Sequence, residues 1–200
     1  MAAVTDLERL RRQVAAVSRR AARMGLAPGI SGNVSCRVPG QDRVLIKATG
    51  LPLARLSARE VLLMDLDGNL LEGSELRPSK ERHFHLAVYR RRPDVGAVVH
   101  LHPPYALVFA AAHRLPPLHT GAARTFLGGR MALVPPAPSG SRELAEAVGE
   151  ALGAEGMRAA ILAEHGTVTV GADLDEALSV TEYLEDACRT ALWLRLLGSG

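Results

Sequence analysis

The sequence predicts an α/β fold: one domain, residues 1–200, with a mixed sheet covered by helices. Three observations predict it. Helix-like and strand-like periodicities alternate along the chain. Two hairpin-like stretches set neighbouring strands side by side, which argues against a purely parallel sheet. The 200 residues, 48% apolar and 22% charged, suit one domain with a real core and exclude a disordered chain.

Each element can be justified in turn. Asp6 to Met24 reads as an amphipathic helix, with Leu7, Leu10, Val14 and Val17 at helical spacing. Gly25 ends it, and Pro28-Gly29 opens a loop. Asn33–Val38 and Arg43–Lys47 read as short strands, with a sharp turn at Thr49-Gly50. Ser57-Ala58-Arg59-Glu60 has the form of a capping box over a single turn. Val61–Asp65 reads as a strand, and Asp67-Gly68-Asn69 as a hairpin signal. Ser79 is read as the N-cap of a helix to about Arg92, ended by Pro93-Asp94. A buried-looking strand, Val95–His102, follows. Pro103-Pro104 opens a helix to about Ala112. Arg114–Gly129, broken by prolines and glycines, reads as loop. Met131–Val134 is a strand, Arg142–Leu152 a helix, Met157–Ala163 and Thr167–Val170 strands. Asp173 caps a long last helix to about Leu197.

The net charge is +3. Much of the excess is arginine on the first helix, at Arg9, Arg11, Arg12, Arg19, Arg20 and Arg23, which reads as a solvated face or a patch for an acidic partner. Aromatics are 4%, with no basic-aromatic interleaving, so no nucleic-acid partner is expected. Cys36 and Cys188 make no CxxC pair and imply no disulfide framework. Met1–Thr5 leads into a charged helix rather than an apolar run, and no stretch is long enough to span a bilayer. No membrane partner and a cytoplasmic location are expected.

The chemistry concentrates in a few places. In a strand, His100 and His102 point one way and Leu101 the other, so one rigid element offers two imidazoles. His165 is a third candidate, with Gly166 letting the backbone turn beside it. Three histidines with an open position are a catalytic zinc site. Taken singly, each part has an ordinary structural reading. His83, His85, His113 and His119 read as surface or core histidines. Glu81 in a first helical turn compensates the helix dipole. Gly32-Asn33, Thr49-Gly50 and Ser79 offer backbone N–H groups and hydroxyls suited to phosphate, and Lys80 adds a point charge, but each can be just a turn.

The order of motifs says more. Ser31-Gly32-Asn33-Val34-Ser35, Thr49-Gly50, Pro78-Ser79-Lys80-Glu81, the Arg92-to-His102 segment and His165-Gly166 together resemble the class II aldolase/adducin family, from about Leu7 to the last helix. The resemblance implies a three-layer αβα sandwich with a mixed, largely antiparallel central sheet. It implies a zinc ion, or manganese or cobalt in its place, on His100, His102 and His165. Glu81 matches the family's acid/base carboxylate, which also reaches the metal before substrate arrives. That role calls for a pKa raised toward neutrality. Gly32, Asn33, Thr49, Gly50, Ser79 and Lys80 match the phosphate-binding positions. The implied activity is a lyase on a phosphorylated sugar or sugar acid. The leading reaction is retro-aldol cleavage of a ketose 1-phosphate, such as fuculose 1-phosphate, to dihydroxyacetone phosphate and an aldehyde through an enediolate. Alternatives within the family are decarboxylation of a 3-oxo-tetronate 4-phosphate and dehydration of methylthioribulose 1-phosphate, and outside enzymology an adducin-like scaffold. A homotetramer with sites at subunit contacts is implied as well. Three departures stand out. Lys80 sits where the family's aldolases often carry serine, and Thr120 where they carry a catalytic tyrosine. Their tail tyrosine has no counterpart up to Gly200.

Overall fold

The computed structural model describes residues 2–198; Met1, Ser199 and Gly200 lie outside it, as do the side chains of residues 2–5. Six helices and seven strands follow in the order α1 (Ala2–Arg23), β1 (Asn33–Arg37), β2 (Arg43–Lys47), β3 (Val61–Asp65), α2 (Arg82–Arg91), β4 (Ala97–Leu101), α3 (Pro104–Ala111), α4 (Gly121–Leu127), β5 (Met131–Val134), α5 (Arg142–Ala151), β6 (Ala159–Leu162), β7 (Gly166–Gly171) and α6 (Leu174–Leu196). Two single 3₁₀ turns, Leu53–Arg55 and Ala58–Glu60, lie between β2 and β3. The second carries the expected capping box of Ser57 and Glu60.

The strands form one sheet in the order β3-β2-β1-β4-β7-β6-β5. All neighbours are antiparallel except β5 and β6. Side-chain alternation sorts the core onto two faces. Val34, Cys36, Leu45, Val99 and Leu101 pack with α1 and the start of α6, while Ala159 and Ile161 pack with α3, α4 and α6. Val44, Ile46, Val98, Leu162, Val168 and Val170 pack on the other face with α2 and α5. The domain is therefore a three-layer αβα sandwich with a mixed, largely antiparallel sheet, as expected. Its two cysteines are buried free thiols.

Three local expectations are corrected. Arg114–Gly129 contains a helix, α4: Thr120 caps it by accepting a hydrogen bond from the Ala123 amide, and Gly128 closes it. The glycines that suggested loop are its start and stop signals. Second, Ser79 does not cap α2, which begins at Arg82 with Glu81 just outside it. The Ser79 amide donates to Lys47 O, and Ala48 bridges Pro78, so this segment is held extended against the end of β2. Third, the turn after β3 returns through one isolated bridge, Met64 to Leu70, rather than a paired strand.

Candidate active site

Four chain segments meet at one end of the central strands. In β4, His100 is fully buried opposite Asn33 of β1. His102 follows the strand end, its amide tied to Leu26 O. His165 stands in the tight connection from β6 to β7. Glu164 makes that turn with φ of +61°, a left-handed conformation in a non-glycine residue. Gly166 is not the turning residue. Its value is space: a Cβ there would lie 2.7 Å from Leu101 O and 2.8 Å from His102 Cδ2. Glu81 stands in the turn between the extended segment and α2 and is itself buried.

The three histidines present nitrogens that all lie within 4.8 Å of one another. His102 Nε2 is 3.1 Å from His100 Nε2. The Glu81 carboxylate bridges the group, with Oε2 3.2 Å from His100 Nε2 and Oε1 3.0 Å from His165 Nε2. Two neutral donors hold the same carboxylate: Asn33 Nδ2 to Oε2 at 2.9 Å and Ser139 Oγ to Oε1 at 2.6 Å.

The donor set fits a divalent cation. His100 Nδ1 lies 2.9 Å from the Thr167 carbonyl, so Nδ1 carries the proton and neutral Nε2 is left with a lone pair. That lone pair faces another imidazole nitrogen and a carboxylate, acceptors against an acceptor. Positive charge at the centre resolves the conflict, as ring protons or as a bound ion. Burial and the neighbouring His100 and His165 push His102 down to about 4, which keeps it neutral as a ligand must be. His165 Nδ1 is buried without a partner among the described residues. Glu81 departs from the expected raised pKa. When ring protons on His100 and His165 supply the positive charge, burial still pushes the carboxyl up, but hydrogen bonds from His100, His165 and Ser139, with the charge of His100, outweigh it and hold Glu81 well below the usual range.

A cavity of about 400 Å³ opens on this cluster. Glu81, His102 and His165 line it, with His100 behind them. Gly32, Asn33, Thr49, Gly50, Ser79 and Lys80 line it too, so every residue matched to phosphate binding shares one cavity with the histidines. Gly32 has φ of +78°, and a Cβ there would lie 3.0 Å from His100 O, so only glycine lets this turn pack on β4. The Asn33 side chain is committed to Glu81 and His85 rather than to the cavity. Thr120 is spent as the α4 cap and does not line the cavity.

Two lining residues with functional side chains were missed in the sequence, Lys47 and Ser139. Lys47, at the end of β2, is buried and donates to Gly32 O at 3.1 Å and to Ile30 O at 3.4 Å. Burial pushes its ammonium down to about 8, and the Glu81 charge opposes that shift. A charged residue ending an apolar strand was its only signal. Ser139 comes from the proline-rich connection between β5 and α5, and nothing in its sequence neighbourhood marks it.

Comparison with known proteins decides the family. The family described as Class II Aldolase and Adducin N-terminal domain matches residues 12–192. The chain belongs to that family. It is 37% identical, over 82% of its length and 78% of the relative's, to 3-oxo-tetronate 4-phosphate decarboxylase of Haemophilus influenzae. It is 35% identical, over 90% of its length and 81% of the relative's, to L-fuculose phosphate aldolase of Escherichia coli. Among solved structures, L-fuculose-1-phosphate aldolase from Thermus thermophilus superposes with a TM-score of 0.81 at 32% identity, covering 98% of each chain. The family's lyases share the fold described above, and the chain is an enzyme of that lyase class. No helix among the described residues is long and apolar enough to cross a membrane.

Proposed function

We propose that this chain is a zinc-dependent lyase that breaks a carbon–carbon bond of a phosphorylated sugar or sugar acid in the cytoplasm, as a homotetramer. One observation carries the reading: a three-histidine cluster, through His102 and His165, and the Glu81 carboxylate open on the same cavity as the candidate phosphate donors. A divalent ion on His100, His102 and His165, zinc by preference and manganese or cobalt in its place, would supply Lewis acidity toward a carbonyl. Glu81, beside the histidines that would hold that ion, is the acid/base group that moves a proton at the reacting carbon. Ser139 and Asn33 hold its two oxygens in place. The backbone turns at Gly32-Asn33 and Thr49-Gly50, the Ser79 hydroxyl and the Lys47 and Lys80 ammonium groups take the phosphate, and that remote binding orients the substrate.

Retro-aldol cleavage of a ketose 1-phosphate, such as fuculose 1-phosphate, is the leading reaction. The hydroxyl beside the breaking bond gives its proton to Glu81, the carbon–carbon bond breaks to release an aldehyde, and Glu81 passes that proton to the carbon of the three-carbon fragment, dihydroxyacetone phosphate. A second reading, decarboxylation of a 3-oxo-tetronate 4-phosphate, is favoured by Thr120. With that hydroxyl spent as a cap, the chain offers no tyrosine at the position of the aldolases' catalytic tyrosine to help take the hydroxyl proton. Decarboxylation needs none, because the substrate carboxylate is already ionised. Loss of carbon dioxide leaves the same three-carbon fragment. Zinc-loaded protein supplied with each substrate separates the two, by release of aldehyde or of carbon dioxide. No turnover of either in fully metal-loaded protein overturns the proposal.

A further inference from the structure

The buried polar side chains between β1 and α2 are unexplained by the site alone. Glu81, His85 and Tyr89 recur at i, i+4 and i+8 and so share one face of α2 and its N-terminal flank. On β1, Val34 and Cys36 face α1, which turns Asn33 and Ser35 toward α2. Four helical residues advance about 6.0 Å and two strand residues about 6.7 Å, so the two stripes run in step. They are joined rung by rung. Asn33 Nδ2 reaches Glu81 Oε2 at 2.9 Å, and Asn33 Oδ1 meets His85 Nε2. His85 Nδ1 lies 2.7 Å from Ser35 Oγ, which lies 2.8 Å from the Tyr89 hydroxyl. His85 and Ser35 are fully buried and Asn33 and Tyr89 nearly so.

We propose that this buried chain, Tyr89–Ser35–His85–Asn33, is a one-way hydrogen-bond relay that positions the Glu81 carboxylate, with His85 as its central positioning residue. The inference rests on the reading of Glu81 as the acid/base group. Direction follows from the carboxylate, which only accepts. Asn33 must turn its NH₂ to Glu81, which leaves Oδ1 facing His85. His85 Nε2 must then carry the proton. Neutral His85 accepts at Nδ1, so the Ser35 hydroxyl donates there, and Tyr89 donates to Ser35. The reversed chain would set Asn33 Oδ1 against the carboxylate. Burial keeps His85 neutral, pushing it down to about 3, and keeps the Tyr89 phenol protonated. Arg37 anchors the far end, donating to Tyr89 O at 2.6 Å with its guanidinium 5.1 Å over the ring. A carboxylate held this way keeps Oε2 as a fixed acceptor beside the histidines.

The test reads the tautomer first. In zinc-loaded protein carrying ¹⁵N-histidine, long-range ¹H–¹⁵N correlation should show His85 as the neutral Nε2–H form from pH 6 to 8. The Nδ1–H tautomer or an imidazolium overturns the relay, and this readout is independent of any activity and of any variant. Kinetics provide the second arm. His85→Leu should lower kcat about 10- to 100-fold with zinc content and KM nearly unchanged. His85→Gln, which restores a donor near Nε2, should recover most of it. Wild-type kcat in His85→Leu overturns the proposal, as does a His85→Gln variant no better than His85→Leu. If the wild-type protein turns over no sugar phosphate, the functional reading fails by itself, and the tautomer still decides the relay.

Discussion

Substituting Gly166 by alanine puts a methyl group between two of the three histidines. The added Cβ would lie 2.7 Å from Leu101 O, 2.8 Å from His102 Cδ2 and 3.3 Å from His100 Cε1. The first contact is with backbone of a central strand and cannot rotate away. Relief requires opening the β4–β7 pairing, where Leu101 sits opposite Thr167, or swinging the His102 ring off its position. Overpacking of this kind costs about 1–3 kcal/mol. For a domain of this size that lowers Tm by roughly 2–12 °C. Zinc affinity should fall about 10-fold or more, because a ligand ring is displaced. Gly121 is the matched control. It opens α4 with nothing within 4 Å of a built Cβ, so Gly121→Ala should leave Tm and zinc binding unchanged or slightly raised. Thermal unfolding of both variants and zinc titration against a chromophoric chelator measure the difference. Wild-type Tm and zinc affinity in Gly166→Ala would refute the reasoning.

Other outcomes follow from the same geometry. Glu81→Gln should keep its zinc but lose turnover by about 100-fold or more; metal analysis beside kcat checks this, and unimpaired turnover removes Glu81 from the chemistry. Lys47→Met should raise KM for a phosphorylated substrate about 10- to 100-fold, from the loss of a charged donor in the cavity, and raise it far less for the unphosphorylated analogue; equal effects on both would remove Lys47 from phosphate binding. His85 gives a pH signature. Its folded pKa is lowered to about 3 against 6.5, so the stability it contributes is complete above pH 6.5 and is lost as pH falls toward 3. Between pH 7.5 and 5 the loss is about 2 kcal/mol. Urea unfolding of metal-free wild type and His85→Gln should show a shallower pH dependence in the variant; parallel curves would count against a buried neutral His85.

Much of the sheet is legible in the sequence because strands buried on alternating faces announce themselves. Asn33–Arg37, Arg43–Lys47, Val61–Asp65 and Met131–Val134 stand where apolar runs and turn residues put them. The candidate metal ligands were legible for a related reason: alternate positions along an extended chain share a face, so His100 in β4 and His102 just past its end converge. What was missed depends on tertiary contacts. Helix α4 is one short segment hemmed by glycines, and its apolar side is explained by packing on α6 and β6. Ser79 has the chemistry of a cap, but pairing with Lys47 claims its backbone first. Lys47 and Ser139 reach the cavity from segments distant in sequence, and no local pattern reports that. His85 reads as an ordinary core histidine until the stripe on α2 is laid over the stripe on β1. The acid/base role called for a raised Glu81 pKa. With the rings protonated, partners brought in by β4, the β6–β7 connection and the β5–α5 connection hold it low instead.

Both carbon–carbon cleavage reactions leave the same three-carbon fragment, so its deprotonation tests the functional reading most directly. Dihydroxyacetone phosphate would be incubated with zinc-loaded protein in deuterium oxide and followed by NMR, with and without a chelator. The proposed function predicts stereospecific uptake of one deuteron that stops on chelation and in Glu81→Gln. No exchange in fully zinc-loaded wild-type protein, or exchange indifferent to both, would contradict it.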